Sequence, residues 1–305
     1  MAGGALGYNP AMASPHRLRD RVLIDALRWT PKGLLSQGIG WAARRRVPRP
    51  LRASLYRSFA ERVGADLGEV DRGLEEFASF DEFFTRPLPH GARTIEGGDD
   101  IAVSPCDGVL SETGIAEGGR MIQAKGRDYT VRALLADETE ARSFTSGPYA
   151  TIYLAPRNYH RVHSPTAGAI TGYRHVPGAF FPVNAPSVAQ VSGLFAINER
   201  LVTYVHGPLG RVAVVMVAAF GVGNMTASYD TVATHSGSKG SVRTYVDSRP
   251  VNKGGELGIF HLGSTVVLLF EPGRVTLSGL ERGRPVKLGE PLGRRLSGRS
   301  GEVAA

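Results

Sequence analysis

The chain has 305 residues, 42% of them hydrophobic, which is enough to bury a large core and excludes a disordered polypeptide. A single cysteine, Cys106, excludes an internal disulfide framework and any metal site built from several thiolates. The net charge of +8 is concentrated at one end: residues 1–57 hold eleven Arg or Lys against Asp20 and Asp25, and the rest of the chain is close to neutral.

The opening stretch MAGGALGYNPAMASPH has neither a charged start nor a continuous apolar core, so no signal peptide is expected. From Arg17 to about Phe77 the pattern is helical. Val22, Leu23, Ala26 and Leu27 share one face. Thr30 as N-cap and Pro31 at the first helical position then predict a second helix with Leu35, Ile39 and Ala42 on one side. The Arg44 to Arg46 cluster ends that helix, where cations suit the macrodipole, and VPRP breaks the chain. Trp29 and Trp41, the only tryptophans, both lie here. A short amphipathic segment rich in Trp, Leu and Arg suits a lipid interface, and the absence of stacking aromatics among the charges argues against nucleic acid. The alternative is that these helices pack on their own core and their arginines are merely solvated. A third helix should carry Leu51, Leu55 and Phe59, and a fourth should open on Asp66 and Glu69 as a capping box ahead of Val70, Leu74 and Phe77.

After about residue 100 the pattern changes to short β-branched and apolar runs broken by Gly and Pro: YATIYLA, AGAITGYRHV, RLVTYVHG, RVAVVMVAAFGVG, STVVLLFEPG and RVTLSG. The longest, from Val212, falls short of the roughly 20 residues a membrane-spanning helix needs. The expected fold is α+β, with N-terminal amphipathic helices followed by a mostly antiparallel β core. Its divisions are a basic helical membrane-associating segment at 1–78, a β-rich catalytic domain at 79–290, and a disordered Arg- and Gly-rich tail at 291–305.

Three places join reactive groups to turn residues: SPCDGVLSE around Asp107, YLAPRNYHRVHSPTAG with His160 and His163, and HLGST around Ser264. Asp, His and Ser together are the set that activates a hydroxyl. Each also has a plain reading: an Asp-Gly turn, two polar surface histidines, a serine bonding its local backbone. A zinc site on His160 and His163 lacks a third ligand, so no metal is expected. HLGSTVV is not a Gly-x-Ser-x-Gly elbow, because its serine begins a strand. Gly263, without a side chain, could instead hold a strained backbone and offer its carbonyl to the Ser264 hydroxyl.

Taken in order, FDEFFTRPL, SPCDGVLSETG, AKGRDYTVRALLAD, YLAPRNYHRVHSPTAG, VPGAFFPVN, LFAINERLV and GELGIFHLGSTVVLLFEPG resemble the phosphatidylserine decarboxylase proenzymes of the Leu-Gly-Ser-Thr self-cleavage class, over most of residues 80–275. The resemblance implies that Asp107, His163 and Ser264 form the maturation triad, with Asp107 holding the His163 ring. Ser264 would attack the Gly263 carbonyl, and β-elimination of the resulting ester would leave dehydroalanine at 264, which rearranges and hydrolyses to a covalent pyruvoyl group (pyruvate) as the only cofactor. That group would form a Schiff base with phosphatidylserine and accept the electron pair left by carbon dioxide, giving phosphatidylethanolamine, with His160 assisting as acid or base. The implied partners are phosphatidylserine in an anionic membrane and the protein's own second cleavage product, in a heterodimer whose further pairing stays open. No nucleic acid is implied, and the implied location is peripheral, on the cytoplasmic face of a bacterial membrane. Phe180, Phe181, Pro186, Asn224 and Met225 depart from the family pattern. Two rivals remain at this point: a pyruvoyl-dependent decarboxylase of a soluble amino acid, and an uncleaved membrane-binding module.

Overall fold

A computed structural model describes residues 32–296 apart from 125, 222–223, 235–236, 238 and 262–263. The helix expected around Val22 to Leu27, the Thr30 cap, Trp29, Gly263 and residues 297–305 therefore lie outside the described residues. Helix α1 spans Lys32–Ala43, α2 Arg49–Val63 and α3 Phe80–Phe84.

The two longer helices sit the opposite way round from a globular expectation. Ser36, Gly40 and Ala43 of α1 are buried, whereas Leu34, Leu35, Ile39 and Trp41 are exposed. In α2, Tyr56 and Ala60 face inward, and Leu51 and Leu55 face out. The small residues are turned in because α1 lies close to its neighbours, and the Ser36 hydroxyl accepts a hydrogen bond from the Gly221 amide at 3.1 Å. Under these helices Tyr56, Phe77 and Phe83 form a second small core, with Tyr56 and Phe83 stacked at 4.9 Å between ring centroids.

The helix expected from Asp66 to Phe77 is instead two single 3₁₀ turns, Leu67–Glu69 and Leu74–Glu76. Asp66 does cap the first turn, accepting from the Gly68 amide at 2.8 Å. Glu69, however, leaves the box to bind Arg93, and the glycines at 68 and 73 favour a broken path over a continued helix. The capping device belongs to α3, where Ser79 accepts from the Glu82 amide and the Glu82 carboxylate accepts from the Ala78 amide.

Among the described residues sixteen strands follow. The first eight are β1 (Ile101–Val103), β2 (Gly108–Ile115), β3 (Arg120–Ala124), β4 (Arg127–Thr130), β5 (Pro148–Leu154), β6 (Arg161–His163), β7 (Gly168–Val176) and β8 (Arg200–Gly207). The others are β9 (Gly210–Ala218), β10 (Met225–Ala227), β11 (Ser241–Val251), β12 (Glu256–Phe260), β13 (Ser264–Phe270), β14 (Val275–Leu277), β15 (Pro285–Val286) and β16 (Pro291–Arg295). The main sheet has the order β11-β7-β8-β9-β13-β5-β2-β15, and every neighbouring pair in it is antiparallel. The α+β class and the antiparallel β core expected from the sequence are both present. A three-stranded sheet, β10-β12-β6, stands beside the main one, and β1-β16-β14 forms another.

Residues 291–295 correct the expected tail. They form β16, which runs between β1 and β14 with Leu292 buried, so this stretch gains backbone pairing on both sides that its Gly- and Arg-rich sequence does not advertise. Strands β2 and β11 also escaped the hydrophobic pattern, because Ser, Glu and Thr fill the second half of one and the other is an exposed sheet edge.

Phe83→Ala is expected to lower the unfolding free energy by about 3–5 kcal/mol in urea denaturation, because it empties the centre of the small core. Leu34→Ala, on the exposed face of α1, should change it by less than about 0.5 kcal/mol.

Candidate active site

Two connections cross from the main sheet to the small sheet at the same end. One runs from the end of β5 at Leu154 through His160 into β6, and the other from the end of β12 at Phe260 into β13 at Ser264. The Asn158 side chain closes the first by accepting from the Ala155 amide at 2.8 Å, and the Phe260 amide then donates to the His160 carbonyl at 2.9 Å. A third segment joins them: the His163 amide donates to the Pro105 carbonyl at 2.8 Å, which brings the Cys106–Asp107 turn alongside β6. Backbone pairing thus sets the Asp107 turn against His163 and the end of β12, four residues before Ser264, against His160.

Ser264 opens β13 with Leu154 of β5 opposite it on one side and Ala218 of β9 on the other. It is fully buried, and its hydroxyl has no hydrogen-bond partner among the described residues. An orphaned buried hydroxyl costs about 1–3 kcal/mol, so its retention at the end of a central strand needs a reason. His160 is in the same condition: its ring is buried, stacks on Phe84 at 4.1 Å, and leaves both nitrogens without a partner of good geometry. Burial pushes its pKa down to about 3, helped by the Arg86 charge, while the nearby Ala155 and Pro156 carbonyls oppose the shift.

The Gly254 carbonyl fixes the tautomer of His163. It lies 2.8 Å from Nδ1, so Nδ1 carries the proton and donates, and Nε2 is the free basic nitrogen. The Tyr159 hydroxyl donates to that Nε2 at 3.0 Å. Gly254 needs its φ of +76°, and a Cβ there would meet Ile95 at 2.6 Å, so a larger residue would move the carbonyl off the ring. Burial is also the main cause holding His163 below its ordinary value, and the Gly254 hydrogen bond resists it.

Asp107 does not hold the ring, which corrects the expectation. Its carboxylate accepts from the Leu288 amide at 2.8 Å and from Arg93, by Nε at 3.0 Å and by a shorter Nη2 contact. Arg93 reaches on to both Glu69 oxygens at 2.8 Å, tying the helical part of the chain to Asp107. These contacts push the Arg93 pKa up, with Asp107 the largest contributor, and the Arg93 hydrogen bond pulls Glu69 down. Among the described residues no hydrogen bond joins Ser264 to either histidine.

The structure adds residues that the sequence did not single out. Tyr159 lies one turn of chain before His163 inside a stretch already under suspicion, whereas Arg93 and Gly254 reach the site only through folding. His261, three residues before Ser264, contacts both Asp81 oxygens through Nδ1 at 2.9 and 3.0 Å and Thr226 through Nε2 at 3.2 Å. That links the connection before β13 to α3.

The profile of the family described as phosphatidylserine decarboxylase matches residues 80–294, a span that holds every residue just named except Glu69. The chain belongs to the phosphatidylserine decarboxylase family. Relatives named phosphatidylserine decarboxylase proenzyme are similar over nearly the whole chain. One from Anaeromyxobacter sp. (strain K) is 49% identical over 90% of this chain and 99% of its own, and one from Myxococcus xanthus (strain DK1622) is 45% identical over 90% and 99%. Another, from Acinetobacter baumannii (strain ATCC 17978), is 37% identical over 93% of this chain and 100% of its own. As a member of this family the chain is an enzyme, a carboxy-lyase, and its relatives' names mark them as proenzymes.

Both histidines are neutral in the folded protein, so the unfolded chain binds more protons than the folded one at any pH between the folded pKa and about 6.5. Stability should therefore fall as pH is lowered from 6.5 towards 3, by up to about 1.4 kcal/mol per pH unit for His160. Urea titrations of the wild type and His160→Gln between pH 7 and 4.5 should show the shallower slope in the variant.

Proposed function

We propose that this chain cleaves itself between Gly263 and Ser264 and then decarboxylates phosphatidylserine to phosphatidylethanolamine. The observation that carries this reading is the buried hydroxyl of Ser264, which has no hydrogen-bond partner among the described residues, at the start of a central strand. A serine meant for structure would be bonded to its backbone, whereas a reactant must be left free.

In maturation the Ser264 oxygen bonds to the Gly263 carbonyl carbon while its proton leaves, and the C–N bond breaks as the Ser264 nitrogen takes a proton, giving an ester. His163 supplies the basic nitrogen. Its Nδ1–H is spoken for by Gly254, so the proton arrives at Nε2, and the Tyr159 hydroxyl must release that nitrogen or pass its own proton on. Asp107 acts at one remove, as the fixed negative charge that Arg93 and the Leu288 amide hold beside β6. β-Elimination then removes the Cα proton of residue 264, breaks its Cβ–Oγ bond and frees the Gly263 carboxylate, and the dehydroalanine left behind tautomerises to an imine that takes up water and releases ammonia. The pyruvoyl group that follows supplies an electron sink for decarboxylation. The buried His160 offers one basic nitrogen and one N–H, and would accept or return the proton that decarboxylation requires.

A phospholipid substrate requires contact with a membrane surface. Among the described residues no helix is long and apolar enough to span one. Helices α1 and α2 instead expose Leu34, Leu35, Ile39, Trp41, Leu51 and Leu55, bordered by the exposed Arg44, Arg45, Arg46, Arg49 and Arg57. Apolar side chains turned outward beside cations suit insertion under anionic headgroups, each buried Leu or Ile adding about 1.5–3 kcal/mol.

Intact mass measured under denaturing conditions should give two chains, residues up to Gly263 and a residue 264–305 partner with a blocked N-terminus, while Ser264→Ala stays at 32.6 kDa. A single full-length species for the wild type would overturn self-cleavage. Separately, Leu35→Glu combined with Trp41→Glu should weaken binding to anionic vesicles by about tenfold or more without changing the cleavage pattern.

A further inference from the structure

Arg86 is a charge without an answering partner. It follows α3 in the stretch FFTRPL and is only 7% exposed. Among the described residues its single hydrogen bond runs from Nη1 to the Phe83 carbonyl at 3.3 Å and the buried Nε has no partner, while its guanidinium lies 5.1 Å from the centre of the Phe83 ring. No ion pair among the described residues includes it. The other buried arginines are treated differently: Arg93 binds Asp107 and Glu69, and Arg200 donates to the carbonyls of Leu134, Asn198 and Ala133. The acids whose fields reach Arg86 are Glu69, Asp66 and Asp71, but Glu69 is held by Arg93 and Asp66 by the Gly68 amide.

A buried guanidinium short of partners is costly unless an anion completes it. Arg86 also stands beside the reaction centre. Its charge is the second cause, after burial, of the low pKa of His160, and Phe84, two residues earlier, stacks on the His160 ring.

We propose that Arg86 is the anion-recognition residue of the substrate site and that it takes the phosphodiester of the phospholipid headgroup. This rests on the reading that His160 and Ser264 form the reaction centre. The headgroup offers two anions, and the chemistry separates them. A guanidinium on the carboxylate would stabilise a charge that leaves that group as carbon dioxide departs, and so would hold the ground state back. A guanidinium on the phosphodiester keeps its contact through the whole reaction, and its planar fork fits two phosphate oxygens. The anion would also cancel part of the field on His160 and raise its proton affinity once substrate is bound.

The test uses Arg86→Gln and Arg86→Lys, each confirmed cleaved by intact mass, with water-soluble short-chain phosphatidylserine as substrate and short-chain phosphatidylethanolamine as inhibitor. The product keeps the phosphodiester and lacks the carboxylate. For Arg86→Gln, KM and the product inhibition constant should rise together by about tenfold or more, with kcat within about threefold of the wild type. Arg86→Lys, which keeps the charge and loses the fork, should fall between them, and it carries the test alone if the Gln variant does not mature. A raised KM with unchanged product inhibition would overturn the proposal in favour of the carboxylate. Unchanged KM and inhibition with a lowered melting temperature would overturn it in favour of a prop for Phe83. Should the wild type not turn over, the reading of the reaction centre fails instead, and calorimetric binding of short-chain phosphatidylethanolamine to wild type and variant still decides Arg86: weaker binding supports it, equal binding sinks it.

Discussion

The arrangement depends on the burial of β13 in the middle of the main sheet. Every residue of Ser264–Phe270 is buried, with β9 on one side and β5 on the other. A strand paired on both edges and covered on both faces cannot shift register without moving its whole apolar set, so its first residue is fixed in space. That residue is Ser264. The interior that stabilises the strand also strips water from its hydroxyl, which is the condition in which a weak nucleophile becomes worth activating.

Charge is distributed around this dry junction in a graded way. Burial lowers the pKa of both histidines, with the Gly254 carbonyl choosing the protonated nitrogen of one and the nitrogens of the other lacking a partner of good geometry among the described residues. The full charges stand one step back, in the Glu69–Arg93–Asp107 chain and in Arg86. Paired charges can be buried at tolerable cost, and the neutral groups they surround can exchange protons without creating an isolated ion. The same chain of charges ties the Leu67–Glu69 turn that follows α2 to the Asp107 turn beside β6.

Helices α1 and α2 show that an amphipathic pattern gives the period and leaves the direction open. Leu35 and Ile39 do share a face, as their spacing requires, but the face that packs is the one carrying Ser36, Gly40 and Ala43. Periodicity states that two faces differ; it does not state which one meets protein. Small residues allow close approach of backbones, and here that gain directs the large side chains outward.

The sequence by itself determined the fold class, most strands of the main sheet and the residues singled out as candidates for the site. Long β-branched runs bounded by glycine admit few other structures, and Asp107, His160, His163 and Ser264 each stand beside a turn that marks them. Local pattern also carried the capping residue Asp66, though not the fate of the segment after it. The tertiary structure alone decided what those residues touch: that Gly254 and not Asp107 orients His163, that Arg93 takes Asp107, that Arg86 is left without a counterion, and that 291–295 is a strand. Each of these is a contact between positions far apart in the chain, set by which strands pair and how closely they pack. Side-chain identity fixes what a group can do, but burial and neighbours fix what it is left to do, and those belong to the folded chain.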